Sequence, residues 1–112
     1  MNAVNLKDDG IDLRVIDQCF GGNDEIYFKF LRRFFEDKDY INFNELMLQE
    51  KYSEAFNSAH ALKGVAGNLG MIRVYEFLVV NVEKIRNANY EELDVLYIKF
   101  KNECDRLQEI LG

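Results

Sequence analysis

The chain contains no proline and no tryptophan, one histidine, two cysteines and seven glycines in 112 residues. The absence of proline removes the usual rigid linker and leaves no obligatory helix break. A lone histidine leaves too few ligands for a metal centre built on several imidazoles. Cys19 and Cys104 show neither C-x-x-C pairing nor metal-ligand spacing, so both are expected to be small buried hydrophobes in a reducing compartment. Long apolar runs are missing too, since none approaches the roughly 18 residues of a membrane span. The opening "MNAVNLKDDG" has neither the basic nor the apolar region of a secretory leader, which makes a cytoplasmic location the expectation. Basic residues are the minority, 14 against 20 acidic. The resulting net charge of -6 repels the phosphate backbone that a nucleic-acid binder must attract.

What is present is helical patterning. Hydrophobic residues make up 48% and charged residues 30% of the chain, a composition suited to one modest core and one domain over residues 1–112. Leu13, Ile16 and Phe20 predict a short first helix, with Asp12 as N-cap and Gly21 as stop. From Asn23, a second N-cap, about 25 residues pass without glycine, with apolar side chains at 27, 28, 31, 34, 35, 41, 43, 46 and 47; one long helix bent near Asp37 to Asp39 is expected. A third begins around Lys51 or Tyr52. Val74, Tyr75, Leu78, Val82 and Ile85 form the stripe of a fourth, broken by the polar run at 87 to 89. The fifth repeats apolar residues at 93, 96, 100, 104, 107 and 111, and Asn89 with Glu92 has the form of a capping box. No two-residue alternation and no internal repeat is visible, and short connections favour antiparallel neighbours. The expected fold is all-α: an antiparallel four-helix bundle with an additional short N-terminal helix.

The third helix carries "AHALKGVAGNLGM", residues 59 to 71. At roughly 100° per residue, Ala55, Ala59, Leu62, Ala66 and Leu69 share one arc and form the buried seam. His60 lies opposite, in one strip with Phe56, Lys63, Gly64 and Gly67. Each glycine inside a helix costs roughly 1 kcal/mol relative to alanine. Repeated on one face, that cost implies a benefit there: clearance beside an outward imidazole for a tetrahedral phosphoryl group or a partner's backbone. Lys63, one turn from His60, places an ammonium where it offsets phosphoryl charge. A solvent-facing imidazole needs no further base to act as a nucleophile. The glycines match no phosphate loop, being neither G-x-G-x-x-G nor G-x-x-x-x-G-K-[ST], and no strand precedes them. No nucleotide site, no bound cofactor and no metal are expected.

The run from Ala59 through His60, Leu62, Lys63, Gly64 and Ala66 to Leu69 and Gly70 resembles the signature of the histidine-containing phosphotransfer (HPt) domain, close to A-H-x-L-K-G-x-A-x-x-L-G. The upstream "GGNDEIYFKFLRRFFED" is similar, more loosely, to that family's second helix, and the helix order covers nearly the whole chain. The resemblance implies that His60 is the phosphorylated residue, Lys63 the neutralising cation and Gly64 the position that leaves room for the phosphoryl group. Where the family often carries a small hydroxyl residue after Lys-Gly, this chain has Val65 and Ala66. The family's next helix often supplies a polar group that orients the imidazole; Asn81 is the nearest candidate, and the orienting group stays open.

The function expected is that of a phosphorelay carrier in two-component signalling, without autokinase activity. His60 accepts a phosphoryl group from an aspartyl-phosphate receiver and passes it to another response-regulator receiver, with Mg²⁺ supplied by the receiver and a hybrid sensor kinase upstream. Phe56, Asn57, Ala61, Val65, Gly67, Asn68 and Met71 are the expected docking patch. A monomer without nucleic-acid or membrane partners, standing free from Met1 to Gly112, is expected. The alternative is a non-catalytic adaptor docking on a receiver or kinase; an enzyme acting on small molecules has only one unpartnered histidine in its favour.

Overall fold

A computed structural model describes residues 3–112, so the first two residues of the opening segment lie outside it, and side chains are described from Leu6 onward. Six α-helices follow in order: α1 Leu13–Phe20, α2 Asp24–Glu36, α3 Lys38–Leu48, α4 Phe56–Asn68, α5 Ile72–Arg86 and α6 Leu93–Leu111. Two 3-10 segments, Ala3–Asp9 and Ser53–Ala55, precede α1 and α4. The described residues contain no strand, only an isolated antiparallel bridge between Ile11 and Met71. The radius of gyration, 14.1 Å, is near the about 13 Å expected of a compact chain of this length. No helix among the described residues is long and apolar enough to cross a membrane.

Local chemistry sets the boundaries. Asp12 caps α1 by accepting from the Arg14 amide at 3.1 Å, and Gly21 ends it at φ 59°, the left-handed geometry glycine takes at least cost. Asn23 caps α2 through the Ile26 amide. The long second helix is in fact two. Asp37 turns to ψ 141° and its carboxylate accepts from the Asp39 amide at 2.7 Å, so one aspartate stops α2 and caps α3. The third predicted helix also starts later than Lys51 or Tyr52. Glu50 sits at φ 59°, a 3-10 turn follows over Ser53–Ala55, and regular α4 begins at Phe56. The Asn89–Glu92 capping box does not form. Asn89 accepts from the Glu91 amide at 3.2 Å, while Glu92 stands at φ 63° before α6 without a side-chain cap.

The core follows the apolar periodicity with a few exchanges. Ala55, Ala59, Leu62, Ala66 and Leu69 are all buried, as are Val74, Leu78, Val82 and Ile85. Packed edge-to-face, Phe43 and Phe100 bring α3 against α6 with ring centroids 5.2 Å apart, an arrangement aromatic quadrupoles favour. The Tyr97 hydroxyl donates to Asn44 Oδ1, which puts Tyr97 in the core where Leu96 was expected to lie. Ile41 on α3 and Tyr75 on α5, assigned to the apolar stripes, are exposed, and on α5 the polar Asn81 is wholly buried. Cys104 is buried as expected, and burial pushes its thiol well up. Cys19 is exposed, contrary to the expectation, because it lies in the last turn of α1 on the open hollow between α1, α2 and α4.

The segment before α1 is fastened to the bundle. Leu6 and Ile11 are buried. The Asp12 amide donates to the Gly70 carbonyl at 2.8 Å and the Ile72 amide to the Gly10 carbonyl at 2.9 Å. Gly70, at φ 69°, lies where a Cβ would meet the Asp12 carbonyl oxygen and Val15 at 3.0 Å. Only glycine permits both this turn and this approach.

Candidate functional site

α4 positions the site. It packs against α3 on one side and α5 on the other, burying the Ala/Leu seam and leaving the opposite strip outward. His60 is exposed on that strip, and its one ring neighbour among the described residues is Phe56, one turn earlier, with centroids 6.0 Å apart. Lys63, one turn later, is half-buried and has no ion-pair partner among the described residues. A half-buried stem with an unpaired ammonium keeps the charge near the helix surface. At Gly64, a Cβ would meet no atom within 4 Å other than its chain neighbours and its own helix backbone, so no other part of the fold fills the surface one turn from His60.

Gly67 differs from the expectation of simple clearance. A Cβ there would stand 3.3 Å from the Tyr75 ring of α5, so this glycine admits a side chain of its own fold. Tyr75 therefore leaves the core stripe to rest on α4. A hollow of about 550 Å³ opens at this place, lined among others by Lys63, Gly64, Asn68, Tyr75 and Glu76. A second hollow of about 530 Å³ lies on the α2 side, lined by Cys19, Phe30, Arg33, Val65 and Asn68 among others.

Of the docking residues read from the sequence, Asn57, Val65, Gly67 and Asn68 are exposed and Phe56 and Ala61 half-buried. Met71 must be corrected. It is 1% exposed, because its bridge to Ile11 turns it inward behind Gly70. Asn81 makes no bond to His60: its Nδ2 donates to the Phe77 carbonyl at 2.7 Å and its Oδ1 is a buried acceptor without a partner. Among the described residues no side chain hydrogen-bonds to the imidazole, and no three His, Cys, Asp or Glu side chains cluster as a metal site.

One residue near the site escaped the sequence. The Arg86 guanidinium, at the end of α5, lies 5.6 Å over the Phe56 ring and is ion-paired with Glu83. Phe56 thus neighbours both Arg86 and His60, and Lys63 follows His60 by one turn, so two cations border the strip. No spacing on α4 announces this; only the pairing of α4 with α5 does. Stacked guanidinium and aromatic ring hold each other by cation–π attraction, worth about 0.5–1 kcal/mol at an exposed site.

No family model, no curated protein and no solved structure matches the chain. The functional reading therefore rests on the residues themselves.

Proposed function

We propose that the chain is a phosphoryl carrier of the HPt type, operating between receiver domains in a two-component phosphorelay. The observation that carries this reading is the open position at Gly64 beside an exposed His60 and an unpaired Lys63. In the forward step an unprotonated ring nitrogen of His60 attacks the phosphorus of a receiver's aspartyl phosphate in line. The N–P bond forms as the P–O bond to the aspartyl carboxyl breaks, and the carboxylate leaves with the bonding pair. Transfer to a second receiver is the same step reversed. Lys63 offsets the charge on the equatorial oxygens, and Arg86 supplies a second cation if it leaves Glu83. Mg²⁺ belongs to the receiver in this scheme, and a hybrid sensor kinase stands upstream.

The finer architecture belongs to the same reading: an antiparallel four-helix bundle, with α2 and α3 as one interrupted arm, α4, α5 and α6 as the others, and α1 as the short N-terminal helix. Two contacts support it. Gly67 near the end of α4 meets Tyr75 near the start of α5, while Phe56 at the start of α4 meets Arg86 at the end of α5. Such a bundle presents its histidine on an exposed helix face, suited to brief docking over a small interface.

The test is incubation with a phosphorylated receiver domain, followed by assay for acid-labile, base-stable phosphate on this chain. Uptake by the wild type and none by His60→Gln is expected. Equal labelling of the variant would refute the assignment, and receivers that bind without transferring phosphate would favour the adaptor.

A further inference from the structure

The segment preceding α1 is held by charge at one end and by backbone at the other. Arg106 on α6 donates to the Asp9 carboxylate at 2.6 Å, to the Asp9 carbonyl at 2.8 Å and to both Glu103 oxygens. Arg73 on α5 donates to the Asp8 carbonyl at 3.2 Å and lies 3.7 Å from Glu103 Oε1. Glu103 therefore joins two arginines that grip the segment from two helices. Beyond this grip, Ile11 bridges to Met71, and the Asp12 and Ile72 amides close the pair of bonds to the α4–α5 turn.

What the segment leads into gives the grip a consequence. Asp12 borders the hollow that contains Lys63 and Gly64, and Val15 lines both hollows flanking the α4 strip. Val15 also touches the turn at Gly70. The seat of residues 6–12 thus fixes where α1 stands relative to α4. Apart from the latch, the segment is tied by the buried side chains of Leu6 and Ile11 and by the two backbone bonds to the α4–α5 turn, so loosening the latch favours its opening as a local unit below the global unfolding energy.

We propose that residues 6–12 form an electrostatically latched strap, closed by Asp9, Arg106, Glu103 and Arg73, which sets the width of the two hollows flanking the C-terminal half of α4, one of them lined by Lys63 and Gly64, and thereby the fit of a docking receiver. The latch pairs are partly exposed, so salt weakens them. The second half of this proposal rests on the phosphoryl-carrier reading; the first does not.

The experiment compares wild type, Arg106→Gln and Arg106→Lys by amide hydrogen exchange and by phosphoryl uptake from a phosphorylated receiver. Arg106→Gln is expected to speed exchange at the Asp12 and Ile72 amides about tenfold, with Leu62, Val82 and Phe100 unchanged. Phosphoryl uptake by that variant falls severalfold, and Arg106→Lys restores part of both. Unchanged exchange at Asp12 and Ile72 overturns the latch. Faster exchange throughout α4–α6 overturns the strap as a separate unit. Strap opening with undiminished uptake overturns its coupling to docking. A wild type that takes up no phosphate defeats the carrier reading, while the exchange arm still decides the latch.

Discussion

Gly64→Ala separates stability from activity. The built Cβ meets nothing within 4 Å, so the substitution adds a methyl without a clash in the interior of α4. Alanine is favoured over glycine in a helix interior by about 1 kcal/mol, because glycine loses more backbone entropy on folding. At about 2.1 cal/mol/K per residue, the unfolding entropy of 112 residues converts this into a rise of roughly 4 °C in melting temperature. The same methyl occupies the space proposed for the phosphoryl group, so uptake from a receiver is expected to slow about tenfold, close to 1.4 kcal/mol in the barrier. Gly67→Ala is the control. Its methyl presses on Tyr75 at 3.3 Å, and the strain offsets the gain in propensity. Thermal melts followed by circular dichroism, with single-turnover transfer on the same samples, check both halves. A Gly64→Ala protein that melts lower than wild type would refute the open position, and one that transfers at the wild-type rate would refute clearance as the reason for the glycine.

Tyr27 donates to the Leu69 carbonyl at 2.6 Å from a wholly buried position, so Tyr27→Phe should cost about 1–2 kcal/mol by urea unfolding. Burial raises the Tyr27 phenol above its ordinary value. Its stabilising contribution is complete below the unfolded pKa of about 10 and lost as pH rises beyond it, because the unfolded chain releases the proton first. The urea midpoint of the wild type should therefore fall more steeply above pH 10 than that of Tyr27→Phe; parallel curves would refute the burial argument. Asn81→Leu keeps the branched shape while removing an unpartnered buried acceptor together with the Nδ2 bond to the Phe77 carbonyl, so the fold should be left about as stable as wild type, whereas a loss of more than about 1 kcal/mol by urea unfolding would mean the oxygen has a partner such as a trapped water. Lys63→Ala and Arg86→Ala should each slow phosphoryl uptake with melting temperature held within about 2 °C; an unchanged rate removes that cation from the mechanism.

Much of the helical order was legible because glycine, asparagine and aspartate mark its ends: Asp12, Gly21 and Asn23 each act as read. Apolar spacing also located the α4 seam, hence the outward placing of His60. Asp37 was visible only as part of a charged run, since a carboxylate can sit on an exposed helix face as readily as cap the next helix. Met71 and Tyr75 exchanged places for tertiary reasons. The Ile11 bridge draws Met71 in, and the gap at Gly67 lets Tyr75 lie across α4. Arg86 and the strap residues were illegible for a shared reason: each acquires its neighbours from a different helix, and no pattern within one segment encodes that.

The central claim is that His60 is open to a phosphoryl donor and forms a phosphoramidate. Treating the chain with the small donor phosphoramidate and recording ³¹P NMR tests it without any partner protein. The account predicts one phosphohistidine resonance in the wild type that is absent from His60→Gln. No such resonance in the wild type, or its persistence in the variant, would contradict it.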